Sequence, residues 1–173
     1  MSIKINYKNN ISTKSSTNLV LFVDENFNIR DLKKYISNPE FTYIADLLKN
    51  SDLKKDLLVF EVSSKKTVFL VAIKKDIRIV DVENLGAKFH SHIKYDKKNE
   101  YLINSDTINN KIKNFVGYFL HGLKLKSYEF NVYKSKKNKK IISINVTGNK
   151  NKISTQDHLR FKALEEGSFF ARD

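Results

Sequence analysis

A chain of 173 residues with 40% apolar and 12% aromatic residues, but only 5 Gly and 1 Pro, has the material for one packed core and too little linker composition for a string of modules. Zero Cys excludes disulfides and thiolate metal sites, and no apolar run approaches the roughly 18 residues that span a bilayer. Lys and Arg outnumber Asp and Glu by 32 to 19, a formal charge of +13 that suits phosphate backbones, anionic lipid or acidic partners as readily as it serves solubility.

The opening MSIKINYKNN carries no apolar segment of a secretion signal, so the expectation is a soluble, cytoplasmic protein with no membrane partner. Within SIKINYK, Ile3, Ile5 and Tyr7 lie on one side of a first strand. NLVLFV, residues 18–23, is apolar throughout, as a central strand covered on both faces is. Asp24 and Glu25 read as turn residues. Phe27, Leu32 and Ile36 then outline a short helix, and Pro39 opens another with Phe41, Ile44, Leu47 and Leu48 on its inner face. Segments 56–63 and 67–73 are strands joined across Ser-Ser-Lys-Lys, and so tight a connection predicts an antiparallel pair.

Val82, Leu85, Phe89 and Ile93 recur at helical spacing behind Asp81, the expected helix cap. Tyr101–Ile103 makes a brief strand. The spacing of Ile108, Ile112, Phe115, Phe119 and Leu123 predicts a long helix over Thr107–Lys124. Gly117 and Gly122 inside it each cost roughly 1 kcal/mol relative to Ala, which implies a neighbour packed close to the backbone. Tyr128, Phe130 and Val132 alternate with Glu129, Asn131 and Tyr133, a strand running to Lys134, and the polar turn SKKNKK leads to a last strand over Lys140–Thr147. Ser154 is expected to cap a final helix, with Asp157 at its third position and Leu159, Ala163, Leu164, Gly167 and Phe170 facing inward. That helix meets no stop before Asp173 and ends on an anion where the dipole prefers a cation, so the expectation is that it continues. The fold class is α/β, a mixed sheet sandwiched between helices.

Chemistry is sparse in this pattern. His90 and His92 diverge by about 200° on a helix and cannot share a metal there. His121 lies off the apolar stripe and is expected at the surface or rim, and His158 has no partner at ligand spacing. Glu165 and Glu166, as helical neighbours, point apart, so no carboxylate pair faces one substrate. Ser15 and Ser16 lack the glycine elbow that exposes a nucleophile, and there is no phosphate-cradling loop. No catalytic, cofactor-binding or metal-binding residue is assigned. Lys65 and Lys66, Lys97 and Lys98, and Lys136–Lys140 stand near Tyr95, Tyr101 and Tyr133, an arrangement that suits single-stranded nucleic acid. Solvated turns are the plainer expectation, because Lys lacks the planar fork of specific phosphate recognition.

Two segments resemble one family. GYFLHGLKLKSYEFNVYKSKK, residues 117–137, is similar to the helix, turn and S-Y-x-F-x-x-Y-K strand near the end of the amino-terminal domain of the leucyl (cytosol) aminopeptidases. LEEGSFFARD, residues 164–173, resembles that family's linking helix, E-G-x-x-x-A-R-D, and the two matches stand in family order. Where this chain departs from the family is its heavy use of Lys, Asn and Ile. The resemblance implies a macro-domain-like domain over residues 1–153, with residues 154–173 starting the linking helix toward an absent carboxy-terminal catalytic domain. It further implies that this domain is non-catalytic and supports assembly or regulation. In the family, two divalent metal ions, zinc or manganese, sit in the catalytic domain, which releases amino-terminal residues, leucine preferred, and the protein is commonly a homo-hexamer. None of those metal ligands falls on this chain. The macro-domain likeness also raises ADP-ribose binding, but Gly148 in VTGNKNK stands without the glycine-rich loop that this needs. The alternative function is nucleic-acid binding through the basic surface.

Overall fold

The structure, a computed structural model, describes residues 2–8, 11–14, 18–128, 140–149 and 155–172. β2 (Asn18–Asp24) and β4 (Thr67–Ile73) are apolar at nearly every position because both their faces are covered, and they pair in parallel, Leu19 against Val68 and Leu21 against Leu70. On its other side β2 pairs with β5 (Glu100–Asn104), β5 with β6 (Ile141–Thr147), and β6 with β1 (Ser2–Tyr7), all parallel. The edge strand β3 (Leu57–Glu61) runs antiparallel to β4, as the short Ser-Ser-Lys-Lys connection predicts. The sheet therefore reads β1-β6-β5-β2-β4-β3.

Helices cover both faces. α1 (Asn38–Leu48) begins as expected, with Pro39 in its first turn and the Ser37 amide donating to Glu40 Oε2 at 2.9 Å. With the 3₁₀ turn Arg30–Lys34, it closes a core of Leu19, Leu21, Leu32, Ile36, Ile44, Leu58 and Leu70. On the opposite face lie α2 (Ile79–Ile93) and α3 (Phe115–Ser127). Here aromatic edges interlock: Phe22 meets Phe115 and Phe119 at ring distances of 5.6 and 5.4 Å, and Phe69 meets Phe89 at 5.3 Å. Each such side chain, fully buried, contributes about 1.5–3 kcal/mol. α4 (Thr155–Arg172) packs outside this layer, against α3. The result is the mixed sheet between helices that the sequence predicts.

α2 and α3 touch backbone to backbone. A Cβ on Gly86 would lie 1.8 Å from the Phe119 carbonyl oxygen, and one on Gly122 would lie 1.9 Å from that of Glu83. The close neighbour expected at Gly122 is therefore Glu83 of α2.

Four expectations need correction. The helix expected from Thr107 starts only at Phe115: the Thr107 hydroxyl is spent on the Asn104 carbonyl and the Phe22 amide, and Asn114 enters α3 with φ 58°. Ile108 is buried all the same, from a loop, so its spacing reported burial and not helix. Asp81 is not the cap of α2 but its third residue, and its carboxylate accepts from the Arg78 amide at 3.2 Å and from the Arg78 side chain at 3.0 Å. α4 is turned: Phe161 and Glu165 are buried, whereas Leu159, Leu164 and Phe170 are 61, 50 and 85% exposed, and Ala163 and Gly167 are exposed with them. The inward stripe is spaced by four and interrupted by charge, Asp157, Phe161 and Glu165, which hid it from an apolar count. Fourth, Leu47 of α1 is exposed. The strand expected over Tyr128–Lys134, from residue 129 on, the turn that follows it and the Ser154 cap lie outside the described residues.

Candidate functional site

The joint between α3 and α4 gathers a set of polar side chains that sequence reasoning left apart. His121 is buried, not at the rim: its imidazole stacks on Phe161 at 5.0 Å, and its Nδ1 is 3.0 Å from Glu165 Oε1. Lys124, one turn further along α3, donates to the other oxygen, Glu165 Oε2, at 3.1 Å. Glu165 thus serves two partners from a side chain only 7% exposed, while Glu166 points to solvent, as their adjacency predicts. Such a buried carboxylate is tolerated because both of its oxygens are bonded. Burial, and then the charge of Glu165, push the Tyr7 hydroxyl up to about 12. At the two ends of α4, Asn114 bonds Asp157, and Phe169 stacks on Tyr128 at 5.0 Å. This set positions a helix. It places no nucleophile beside a base and no pair of carboxylates around an open space, so it holds α4 without offering a reaction.

Three of the described lysines turn to interior groups. Lys66 is buried and bonds Glu40 at 3.1 Å and the Lys14 carbonyl at 2.9 Å. Burial raises the Glu40 carboxyl, but its bonds from Lys66 and from the Ser37 amide outweigh that and leave it below its ordinary value. Lys98 bonds Thr67, and Lys140 donates to the carbonyls of Ile93 at 3.1 Å and Lys94 at 3.3 Å, closing the carboxyl end of α2. Tyr101 is buried, with its hydroxyl donating to Asp96 at 3.0 Å. Of the lysine-and-tyrosine sets of the sequence, Lys66, Lys98, Lys140 and Tyr101 are spent on interior bonds and Lys65, Lys97 and Tyr95 are exposed, while Tyr133 and residues 136–139 lie outside the described residues.

An open groove of about 990 Å³ runs between β3 and α2. Asp56 lies in it, held below its ordinary range first by its bond from Lys88, with Lys74 also 3.5 Å away. His92 lines the same groove, its imidazole lowered by desolvation and then by the charge of Lys55, while His90 is buried and His158 exposed.

A smaller crevice of about 400 Å³ opens at the carboxyl ends of β5 and β6. Asn104 closes its floor, accepting the Asp106 amide at 3.0 Å, and Ser105 Oγ donates to the Thr147 carbonyl at 2.9 Å. Gly148 has φ 101°, and a Cβ there would meet Ser105 Oγ at 2.5 Å, so glycine is required. Next to it the Asn149 amide donates to Asp106 Oδ1 at 2.8 Å. The amide that a phosphate would seek is thus already taken by a carboxylate. Among the described residues no group of three or more His, Asp or Glu could hold a metal ion. No described helix is long and apolar enough to cross a membrane.

No family model matches the sequence, and no curated protein matches it. Solved structures match its fold. A mutant of tomato leucine aminopeptidase superposes with a TM-score of 0.61 at 16% identity, over 96% of this chain and 36% of its own. The bottromycin maturation enzyme BotP gives 0.62 at 8% identity, over 92% and 32%. The cytosol aminopeptidase of Coxiella burnetii gives 0.53 at 12% identity, over 92% and 31%. The chain spans about a third of the length of these proteins, and the likeness is to the amino-terminal part of the leucine aminopeptidases.

Proposed function

We propose that this chain is the non-catalytic amino-terminal domain of a metal-dependent leucyl aminopeptidase of the cytoplasm. The observation that carries the reading is a coincidence of two independent likenesses. The fold of nearly the whole chain is that of the amino-terminal part of leucine aminopeptidases, and the sequence resembles the same domain in 117–137 and again in 164–173. On this reading hydrolysis of amino-terminal residues belongs to a catalytic domain joined through α4, and the two divalent ions, zinc or manganese, belong there too. The described residues do not fit such a centre, since they bring no set of three metal-ligating side chains together. No chemical step is assigned to them.

The domain's part is to support assembly of a homo-hexamer or to regulate access to the catalytic domain. α4 suits a connecting element. Its inner face is pinned to α3 through Glu165, and its outer face leaves Leu159 and Phe170 for a neighbouring body to cover.

Two proteins test the proposal: the product of the full-length gene and the 173-residue chain alone. The expected result is chelator-sensitive release of leucine from a leucine amide by the former, with the mass of a hexamer in sedimentation, and no release by the latter. Release by the chain alone, or a full-length product without metal-dependent release, overturns it.

A further inference from the structure

Independently of the aminopeptidase reading, we propose that the edge of β3, with the groove between β3 and α2, takes up an extended segment of a partner protein as an additional strand. That segment runs antiparallel to β3, is apolar at its middle and is acidic toward its carboxyl end. The backbone is the first argument. β3 pairs with β4 residue for residue, from Leu57 against Val71 to Glu61 against Thr67. The Ala72 amide donates to the Asp56 carbonyl and the Val62 amide to the Lys66 carbonyl, so in the same alternation Leu58 and Phe60 bond β4. Leu57, Val59 and Glu61 therefore turn amide and carbonyl outward, where they meet no partner among the described residues. Natural sheets blunt such an edge with Lys, Pro or a bulge. The opposite edge strand, β1, carries Lys4, whereas Leu57–Glu61 has none of the three. An unguarded edge of this kind can receive a strand through backbone bonds alone.

The side chains define what the segment must carry. Leu57 and Val59 lie on the α2 face of the sheet, Leu57 buried in the core with Phe69, Val59 left 38% exposed in the groove beyond it. A residue placed opposite Val59 puts its own side chain on that same face, in the groove that Val59 and Tyr95 line, so it is apolar. Charge then sets the ends. Of the groove's anions, Asp56 is bonded by Lys88, and Asp96 accepts from the Tyr101 hydroxyl at 3.0 Å. Lys54 and Lys55, exposed just before β3, form no bond through their ammonium groups among the described residues, and neither does the Glu61 carboxylate at the other end. The edge is thus positive where β3 begins and negative where it ends. Antiparallel pairing, the stronger mode per residue, sets the carboxyl end of the incoming segment beside Lys54 and Lys55, which calls for acid there, and its amino end beside Glu61. A second copy of this chain suits the edge less well, since each copy brings a formal charge of +13 that repels the other and attracts an acidic partner.

The test is an amide-resolved NMR titration, with hydrogen exchange, of the 173-residue chain and the peptide acetyl-Lys-Thr-Val-Thr-Val-Thr-Glu-Glu-amide. Saturable shifts are expected along Leu57–Glu61. With the peptide at about ten times its Kd, exchange at the outward amides of Leu57, Val59 and Glu61 should slow about tenfold, while Leu58 and Phe60, already bonded to β4, stay unchanged. The same residues in reverse order put acid beside Glu61 and should bind on the order of fivefold more weakly. Lys54→Glu with Lys55→Glu should weaken the first peptide by a similar factor and be rescued by a peptide ending in Lys-Lys. Val59→Pro removes the central outward donor, leaves the bonds to β4 in place and should abolish binding. Absence of saturable shifts overturns the proposal, as do binding that survives Val59→Pro and a reversed peptide that binds as well or better. Dimerisation of the chain in sedimentation that Val59→Pro abolishes would make a second copy the occupant, and exclusion of the peptide from the full-length product would make its own remaining domain the occupant; either also overturns it. Leucine release is not read, so failure here leaves the aminopeptidase reading standing, and the converse.

Discussion

Replacing Gly122 by Ala tests the backbone-to-backbone contact between α2 and α3. The new methyl would sit 1.9 Å from the Glu83 carbonyl oxygen and 2.7 Å from the Glu83 Cα, all backbone atoms that no rotamer change can move. Ordinary contact requires the carbonyl to retreat by roughly 1.5 Å, so α2 and α3 must separate along the seam that holds Val82, Leu85, Phe89, Phe119 and Leu123. Overpacking of this kind costs about 1–3 kcal/mol and occasionally more, while Ala in place of Gly returns about 1 kcal/mol of helix propensity. With rigid backbone as the obstacle the packing cost exceeds its usual range, and a net loss of about 3 kcal/mol is expected. For a chain of this size that lowers Tm by about 6–12 °C. Gly167, in α4, has nothing within 4 Å of a would-be Cβ, so Gly167→Ala should gain about 0.5–1 kcal/mol from the same chemistry. Denaturant unfolding of both variants decides the matter: a Gly122→Ala stability within about 0.5 kcal/mol of the parent would refute the argument.

Glu165→Ala strands His121 and Lys124 at the α3–α4 joint and should cost about 3 kcal/mol, with hydrogen exchange accelerated along α4 ahead of the sheet. Since the Ala72 amide donates to the Asp56 carbonyl, Leu58 bonds β4 while the Val59 amide faces away from the sheet; Val59→Pro should therefore cost under about 1 kcal/mol and Leu58→Pro at least about 3, measured by urea unfolding. Glu40 lies below its ordinary 4.5, so its stabilisation is complete above that pH and is lost as acid brings it through the lower folded value. Lys66→Met should flatten this loss, read from denaturant midpoints on either side of about pH 4.5. Tyr7 is raised to about 12, so the stability it contributes is full below about 10 and declines as pH climbs toward 12, and Glu165→Gln should lower its titration seen by tyrosinate absorbance.

Most strands were legible because burial on both faces leaves continuous apolar runs, as in 18–23 and 67–73, and because a short turn dictates an antiparallel pair. The start of α3 was not, since Ile108 satisfies the core from a loop whose shape depends on the Thr107 hydroxyl reaching Phe22, 85 positions away. The same holds for the joint. His121 looked peripheral because α3 alone says nothing about what covers its outer side, and the covering residues, Phe161 and Glu165, alternate apolar with charged. A spacing of four shared by Asp157, Phe161 and Glu165 was the available signal, but a scan for apolar residues passes over it. The crevice was illegible for a different reason: Lys34, Asn104 and Thr147 are brought together by crossover topology, not by spacing.

α4 shows why a misplaced face carries functional weight. Both sides of this helix are substantial, one closed on α3 by a bonded carboxylate and two aromatic stacks, the other holding Leu159 and Phe170 in the open. A surface helix needs only one such side. A bonded carboxylate adds little net stability, since desolvation consumes most of what the bonds return, but it accepts only one orientation of its partners. Apolar area has the opposite character, favourable in proportion to what is covered and indifferent to orientation. The division of labour follows: the Glu165 joint fixes the angle at which α4 leaves the domain, and the outer stripe supplies attraction to whatever lies beyond it. Under the aminopeptidase reading that body is the catalytic domain, so Glu165→Ala should alter the angle between the domains in small-angle scattering of the full-length protein. Substituting Ser at Leu159 and Phe170 should instead loosen the two domains without disturbing the fold of this one.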